Sequence, residues 1–133
     1  MENGEWRKEN ERRRKRDIQA RAYAFACRIV KLDAYLVRQK GTGRMIAAQL
    51  LRCGTSVGAN LEEADAAQSK KDFISKCNIA LKEARESHYW LRLLVDCDLV
   101  PSRRLALLIT EAGELVAILT AIVKNARSAK APS

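Results

Sequence analysis

Catalysis by side chains needs a nucleophile beside a base, a cluster of metal ligands or a loop that grips phosphate, and the sequence offers one candidate for each. The single histidine, His88, follows Glu86 and Ser87. Adjacent helical residues point in different directions, so this run assembles no triad, and His88 reads as a half-buried structural imidazole. Glu62, Glu63 and Asp65 form an acidic cluster that Glu83 or Glu86 could approach from a neighbouring helix. Di-metal sites in helical bundles use a Glu-x-x-His pair on each of two helices, which one histidine cannot supply. The expected use of Glu62 and Glu63 is therefore an ion pair with Lys82 or Arg85 across antiparallel helices. Gly41-Thr42-Gly43 lacks the spacing and the lysine of a phosphate loop and reads as a turn. Cys27, Cys53, Cys77 and Cys97 are far apart, with no C-x-x-C pair, so no zinc site is expected. They read as small buried hydrophobes in a reducing cytoplasm. No catalytic residue, metal or cofactor is expected.

Charge carries a stronger signal. Lys and Arg total 25 against 16 Asp and Glu, a formal net charge of +9 in 133 residues, which favours anionic partners. Residues 1–16, residues 17–40 and residues 124–133 each contribute +3, while residues 41–123 balance at ten and ten. Candidate nucleic-acid contacts are thus Arg12, Arg13, Arg14, Lys15 and Arg16 in the arm, Arg21, Arg28, Lys31 and Arg38 along the first helix, and Lys124 and Arg127 in the tail. The helix-one cations recur at seven-, three- and seven-residue steps and predict one basic stripe, either a solvated face or an anion-binding surface of salt-sensitive, sequence-independent affinity.

The elements that must position these groups are helical. Aromatics are 5% of the chain and there are only 2 Pro and 6 Gly, too few turn residues for an all-β fold of this length. Ile18, Ala22, Phe25, Ile29, Leu32 and Leu36 predict a first helix from Asp17 to about Gln39. Thr42 is the expected cap of a second, whose stripe runs from Met45 through Ile46, Leu50, Cys53, Val57 and Leu61 to Ala64. Gly54 and Gly58 on it predict a close backbone approach or a local bend. Ser69 caps a third helix carrying Phe73, Cys77, Ala80, Ala84, Leu91 and Leu94, and Val100-Pro101-Ser102 ends it. Leu105, Leu108, Ala112, Leu115 and Leu119 give the fourth. The expected architecture is an all-α, antiparallel up-down-up-down four-helix bundle over residues 17–123. Residues 1–16 form a charged arm, either disordered or a helical extension, and residues 124–133 a basic flexible tail. No run of ~18 apolar residues is evident, so neither membrane insertion nor secretion is expected.

Within the second helix, Ser56 and Asn60 lie four apart on one face, and an inward orientation would make them a buried polar staple or a ligand contact. Tyr89 and Trp90 at the edge of the third stripe predict core completion or a subunit interface.

The run Gln49 to Ala64 resembles the second-helix signature of the four-helix-bundle family that includes proteins encoded in 23S ribosomal RNA intervening sequences. Its pattern, Ser, an aliphatic residue, two variable positions, Asn, an aliphatic residue, any residue and Glu, is met by Ser56, Val57, Asn60, Leu61 and Glu63, with Ala64 where the family frequently has Gly. Ser69 to Phe73, Ile79 to Glu86 and Tyr89 to Leu91 extend the likeness. The resemblance implies the bundle fold without an assigned reaction. It also implies similarity to the accessory protein of diversity-generating retroelements, and so a ring-shaped homo-oligomer, a pentamer by that analogy. RNA or DNA and a reverse-transcriptase-like protein would be its partners. The alternative is an oligomeric scaffold that recruits an acidic protein without nucleic acid.

Overall fold

In each of four segments an apolar stripe with the helical period is long enough to bury one face, and the chain connects them almost without slack. The structure, a computed structural model, describes residues 3–129. Its helices are α1 (Asn3–Leu36), α2 (Thr42–Asp65), α3 (Lys70–Asp96) and α4 (Ser102–Ser128). The connections span only residues 37–41, 66–69 and 97–101, which turns each helix back along its predecessor. α2 packs on α1, α3 on α2 and α4 on α3, and α4 also meets α1, far less extensively. This is an all-α, up-down-up-down four-helix bundle.

The ends follow local chemistry. Ser69 caps α3, its hydroxyl accepting from the Asp72 amide at 3.0 Å. At α2 the cap is Gly41 rather than Thr42: Gly41 has φ +78°, its carbonyl accepts from the Arg44 and Met45 amides, and no side chain caps the helix. The reversal needs a left-handed residue there, which glycine adopts without strain, and that moves Thr42 into the first turn. Just past the end of α3 Asp98 takes φ +58°, with the Leu99 amide donating back to Leu94 at 2.9 Å, before Pro101 opens α4.

The core is built of aliphatic side chains with small residues between them. Phe25, Ile29, Leu50, Leu91, Leu115 and Leu119 are buried among Ala22, Ala47, Ala80, Ala84 and Ala112. Met45, expected on the α2 stripe, is instead 73% exposed, because the first turns of α2 bury Gly43, Ile46 and Ala47 and turn Met45 outward. By length and composition alone α4 could cross a membrane, with mean hydropathy 2.0 over its most apolar window. Here it serves as a core helix, burying Leu105, Leu108, Leu115, Leu119 and Val123 within the bundle.

The N-terminal arm is no separate element. α1 continues unbroken through it, and residues 3–17, before the first core residue Ile18, extend the helix by about 22 Å at ~1.5 Å per residue. At the other terminus α4 carries Lys124 and Arg127 in its last turns. The part of the expected tail beyond residue 129 lies outside the described residues.

The two α2 glycines differ in what they permit. A Cβ at Gly54 would lie 2.8, 3.0 and 3.3 Å from Cγ1, Cγ2 and Cβ of Ile29, whereas one at Gly58 would meet Ala22 at 3.5 Å, ordinary contact. Gly54 is thus the notch that admits α1. Gly54→Ala is expected to destabilise the fold by about 1–3 kcal/mol through overpacking. Gly58→Ala should be neutral or stabilising by up to ~1 kcal/mol through helix propensity. Urea unfolding of both variants, and of Gly54→Ala combined with Ile29→Ala, checks this: the Gly54 penalty must shrink once Ile29 is truncated.

Candidate nucleic-acid interface

α1 is rotated by its contacts with α2. Ala22, Ile29 and Leu36, seven residues apart, all face the core. At about 100° per residue, the residues just before and just after each of them stand on opposite flanks. The preceding residues, Arg21, Arg28 and Tyr35, turn toward α4. The following ones, Tyr23, Val30 and Val37, are exposed on the other flank at 69%, 51% and 47%.

This rotation divides the predicted basic stripe. Arg21 is not available to a ligand: its Nε donates to Glu111 at 3.1 Å, and its Nη2 to Glu111 at 2.6 Å and to Glu114 at 2.7 Å, closing the α1–α4 seam. Hydrogen bonds from Arg21 hold the Glu111 carboxyl below its ordinary value against the opposing effect of burial, and the charge of Arg28 adds to the shift. Arg28, Lys31 and Arg38 are exposed, and no carboxylate comes within 4.0 Å of them among the described residues. In the extension, the consecutive Arg12, Arg13, Arg14, Lys15 and Arg16 encircle the helix. Arg12 and Arg16 share Glu9 at 3.1 and 3.8 Å, Arg13 donates to Asn10 at 2.7 Å, and Lys15 sits over the Phe73 ring at 4.7 Å. Lys124 and Arg127 are exposed at this same end of the bundle.

The opposite end carries cations that charge counting along the chain hides. The 37–41 and 97–101 turns lie together there, and the Arg104 guanidinium stacks 4.2 Å over Tyr35. Lys40, Arg44, Arg103 and Arg104 are exposed at this end, as is Arg38. The basic surface therefore has two ends, joined along α1 by Arg28 and Lys31.

The remaining candidates do not assemble a reaction centre. Ser87 is buried and donates to the Glu83 carbonyl at 2.8 Å and to Cys53 Sγ at 3.3 Å, not to His88. Burial lowers the His88 pKa, assisted by Arg92, and burial pushes the Cys53 thiol up to about 11, the opposite of an activated nucleophile. Glu62 and Glu63 are exposed and do not pair with Lys82 or Arg85. The α2–α3 ion pairs join Arg52 to Glu83 at 3.2 Å and to Glu86, whose carboxylate also accepts from Trp90 Nε1 at 3.1 Å. Among the described residues no group of three His, Cys, Asp or Glu could hold a metal. Ser56 and Asn60 do not staple two helices: Asn60 Nδ2 donates to the carbonyl and hydroxyl of Ser56, both at 2.9 Å, within half-buried α2. Glu63 of the same motif is exposed. Tyr89 is 49% exposed and packs edge-on against half-buried Trp90, ring centroids 5.1 Å apart. The exposed Tyr23, Val30 and Val37 had a sequence signal of their own, a second seven-residue repeat one position beyond the core stripe.

Fold and site together define a small four-helix bundle with basic ends and, among the described residues, no assembled catalytic group. The 23S rRNA-intervening sequence protein family matches residues 14–121, and the chain belongs to this family. It is similar to a solved structure from Bacteroides thetaiotaomicron, a protein of unknown function from the S23 ribosomal protein family. The two share 38% identity with a TM-score of 0.77, over 84% of this chain and 98% of that one. No curated protein matches the chain significantly.

The Arg21 ion pair has a signed pH dependence. A carboxyl held low in the folded chain stabilises it above the unfolded value of ~4.3, and that contribution is lost as pH falls through the lower folded value. Arg21→Met should therefore destabilise the bundle by about 1 kcal/mol at neutral pH. The difference from the parent chain should narrow on acidification to about pH 3, as measured by urea unfolding at both pH values; an equal difference at both would refute the linkage.

Proposed function

We propose that this chain is a non-enzymatic homo-oligomer that binds nucleic acid, RNA or a ribonucleoprotein in the first instance, through the cations of α1 and the two bundle ends. The observation that carries the reading is the exposure of Arg28, Lys31 and Arg38 without carboxylate partners while Arg21 beside them is neutralised. Cations left unpaired along one helix suit a polyanion, whose phosphates they neutralise with release of counterions. Assembly would align these helices around a ring, five copies by the family resemblance, with a reverse-transcriptase-like protein as a further partner. The exposed Tyr23, Val30 and Val37 supply an apolar surface for such assembly, and Tyr89 with Trp90 a second. The four cysteines are free, which suits action in the cytoplasm. The same exposed apolar residues favour a second reading, a homo-oligomeric scaffold whose cations recruit an acidic protein.

Size-exclusion chromatography with light scattering, with and without labelled random-sequence RNA, tests both readings. The expected result is an oligomer that shifts onto RNA and releases it as salt rises. Arg28→Glu, Lys31→Glu and Arg38→Glu combined should weaken binding at least tenfold and reduce the slope of log K against log salt by about two, at ~0.7 per single-strand phosphate contact. Arg21→Met should leave that slope unchanged. An oligomer indifferent to RNA would favour the scaffold, and a monomer would remove the assembly from both.

A further inference from the structure

At the end of the bundle where α2 turns into α3, four helices leave a cavity of about 330 Å³ between them. That volume reaches the lower range of small-molecule sites, ~300–1,000 Å³, and is roughly twice the ~150 Å³ of an engineered cavity that holds benzene. Native cores fill such spaces; here small residues, Ala64 and Ala67, stand where larger side chains would close it.

Its floor and its mouth have different chemistry. Ile18, Leu61, Ala64 and Cys77 line the inner part and are buried. Burial pushes the Cys77 thiol up to about 11, so the floor carries no charge near neutrality. At the mouth Lys15 lies over the Phe73 ring with its Nζ 4.7 Å from the centroid, which holds the ammonium at the edge of an apolar wall. Lys70 stands on α3 and donates to the Ala129 carbonyl at the end of α4, which keeps two of its three protons for another acceptor. Asp65 is the one acid among the lining residues, so Lys15 and Lys70 leave the mouth with one net positive charge. An uncharged floor under a singly positive mouth suits a molecule with an apolar body and one negative head.

We propose that this end cavity is a binding site for a monoanionic amphiphile, a medium-chain fatty-acid carboxylate, its chain on the Ile18–Leu61–Cys77 floor and its head between Lys15 and Lys70. The site does not depend on the nucleic-acid reading, and its test uses no nucleic acid. A chain entering the cavity displaces water from apolar walls, so each added methylene should tighten binding about fourfold until the cavity is full. The carboxylate should add a charge-assisted hydrogen bond that a neutral head cannot match.

Isothermal titration of the full chain with hexanoate, octanoate and decanoate, each below its micellar concentration, and with decanol, tests the site. One-to-one binding that tightens with chain length, with decanol at least tenfold weaker than decanoate, is expected. Lys15→Met should weaken decanoate at least fivefold, Gln19→Trp should abolish binding by filling the cavity from its α1 wall, and Arg38→Ala at the far end should change nothing. If circular dichroism finds Gln19→Trp unfolded, Ala67→Trp fills the cavity from the turn instead. Absence of saturable binding overturns the proposal. So does decanoate affinity that survives both Lys15→Met and the folded filling variant, because the ligand would then sit elsewhere on the surface.

Discussion

The close approach of α1 to α2 is the constraint on which the rest of the surface depends. Gly54 gives Ile29 a place that any Cβ would occupy, and one turn further on Gly58 lies against Ala22. A glycine inside a helix costs about 0.5–1 kcal/mol against alanine, and at Gly54 that cost is offset by the packing it permits. With Ile29 seated, α1 has no rotational freedom. The residues just before Ala22, Ile29 and Leu36 then point to α4, and those just after them point away from it. Which cations reach solvent is therefore decided by a steric contact on the other side of the helix.

The two seams of α1 use different forces. Against α2 the contact is apolar and close. Against α4 it is sparser and held by directed polar contacts, the forked Arg21 pair with Glu111 and Glu114 at mid-bundle and Arg104 over Tyr35 at the end. An arginine fork suits a wider seam, because a long side chain can span a separation that methyl groups cannot fill, and its planar donors match carboxylate geometry. Between α2 and α3, the most extensively packed pair, Arg52 joins Glu83 and Glu86 outside a core of alanines and leucines, so there the ion pairs add to close packing and do not replace it.

Features set by local backbone chemistry were legible in the sequence. The four stripes, the Ser69 cap and the stop before Pro101 depend on residues within one or two turns, and of these only Met45, at the head of the α2 stripe, departs from its expected place. The Ser56–Asn60 pair has the expected spacing, and its bond lies within α2, since four-residue spacing allows a bond within the helix as readily as one across it. Thr42 lost the cap because the turn needed a left-handed residue one position earlier. The fate of Arg21 was invisible, as its partners lie some ninety residues away on α4. The cations of the loop end were hidden for a different reason. Summing charge by segment cancelled Arg44, Arg103 and Arg104 against the acids of residues 41–123, most of which stand elsewhere, and only the antiparallel fold brings those cations to the end that carries Arg38.

The heptad that carries Ala22, Ile29 and Leu36 into the core also explains why one helix presents two dissimilar surfaces. On the α4 side it sets Arg21 and Arg28; on the opposite side it sets Tyr23, Val30 and Val37, with Lys31 and Arg38 on the outward arc. An isolated bundle gains nothing from a row of exposed apolar residues, whereas a row at constant spacing along a straight helix is a flat strip suited to another flat surface. Were that strip covered by a second copy, the outward arc would remain open and each subunit would add its cations to a continuous band. Electrostatic attraction to a polyanion grows with the number of phosphates met at once, so in such an assembly the apolar strip and the basic arc would act as one device, the first setting how many copies of the second act together.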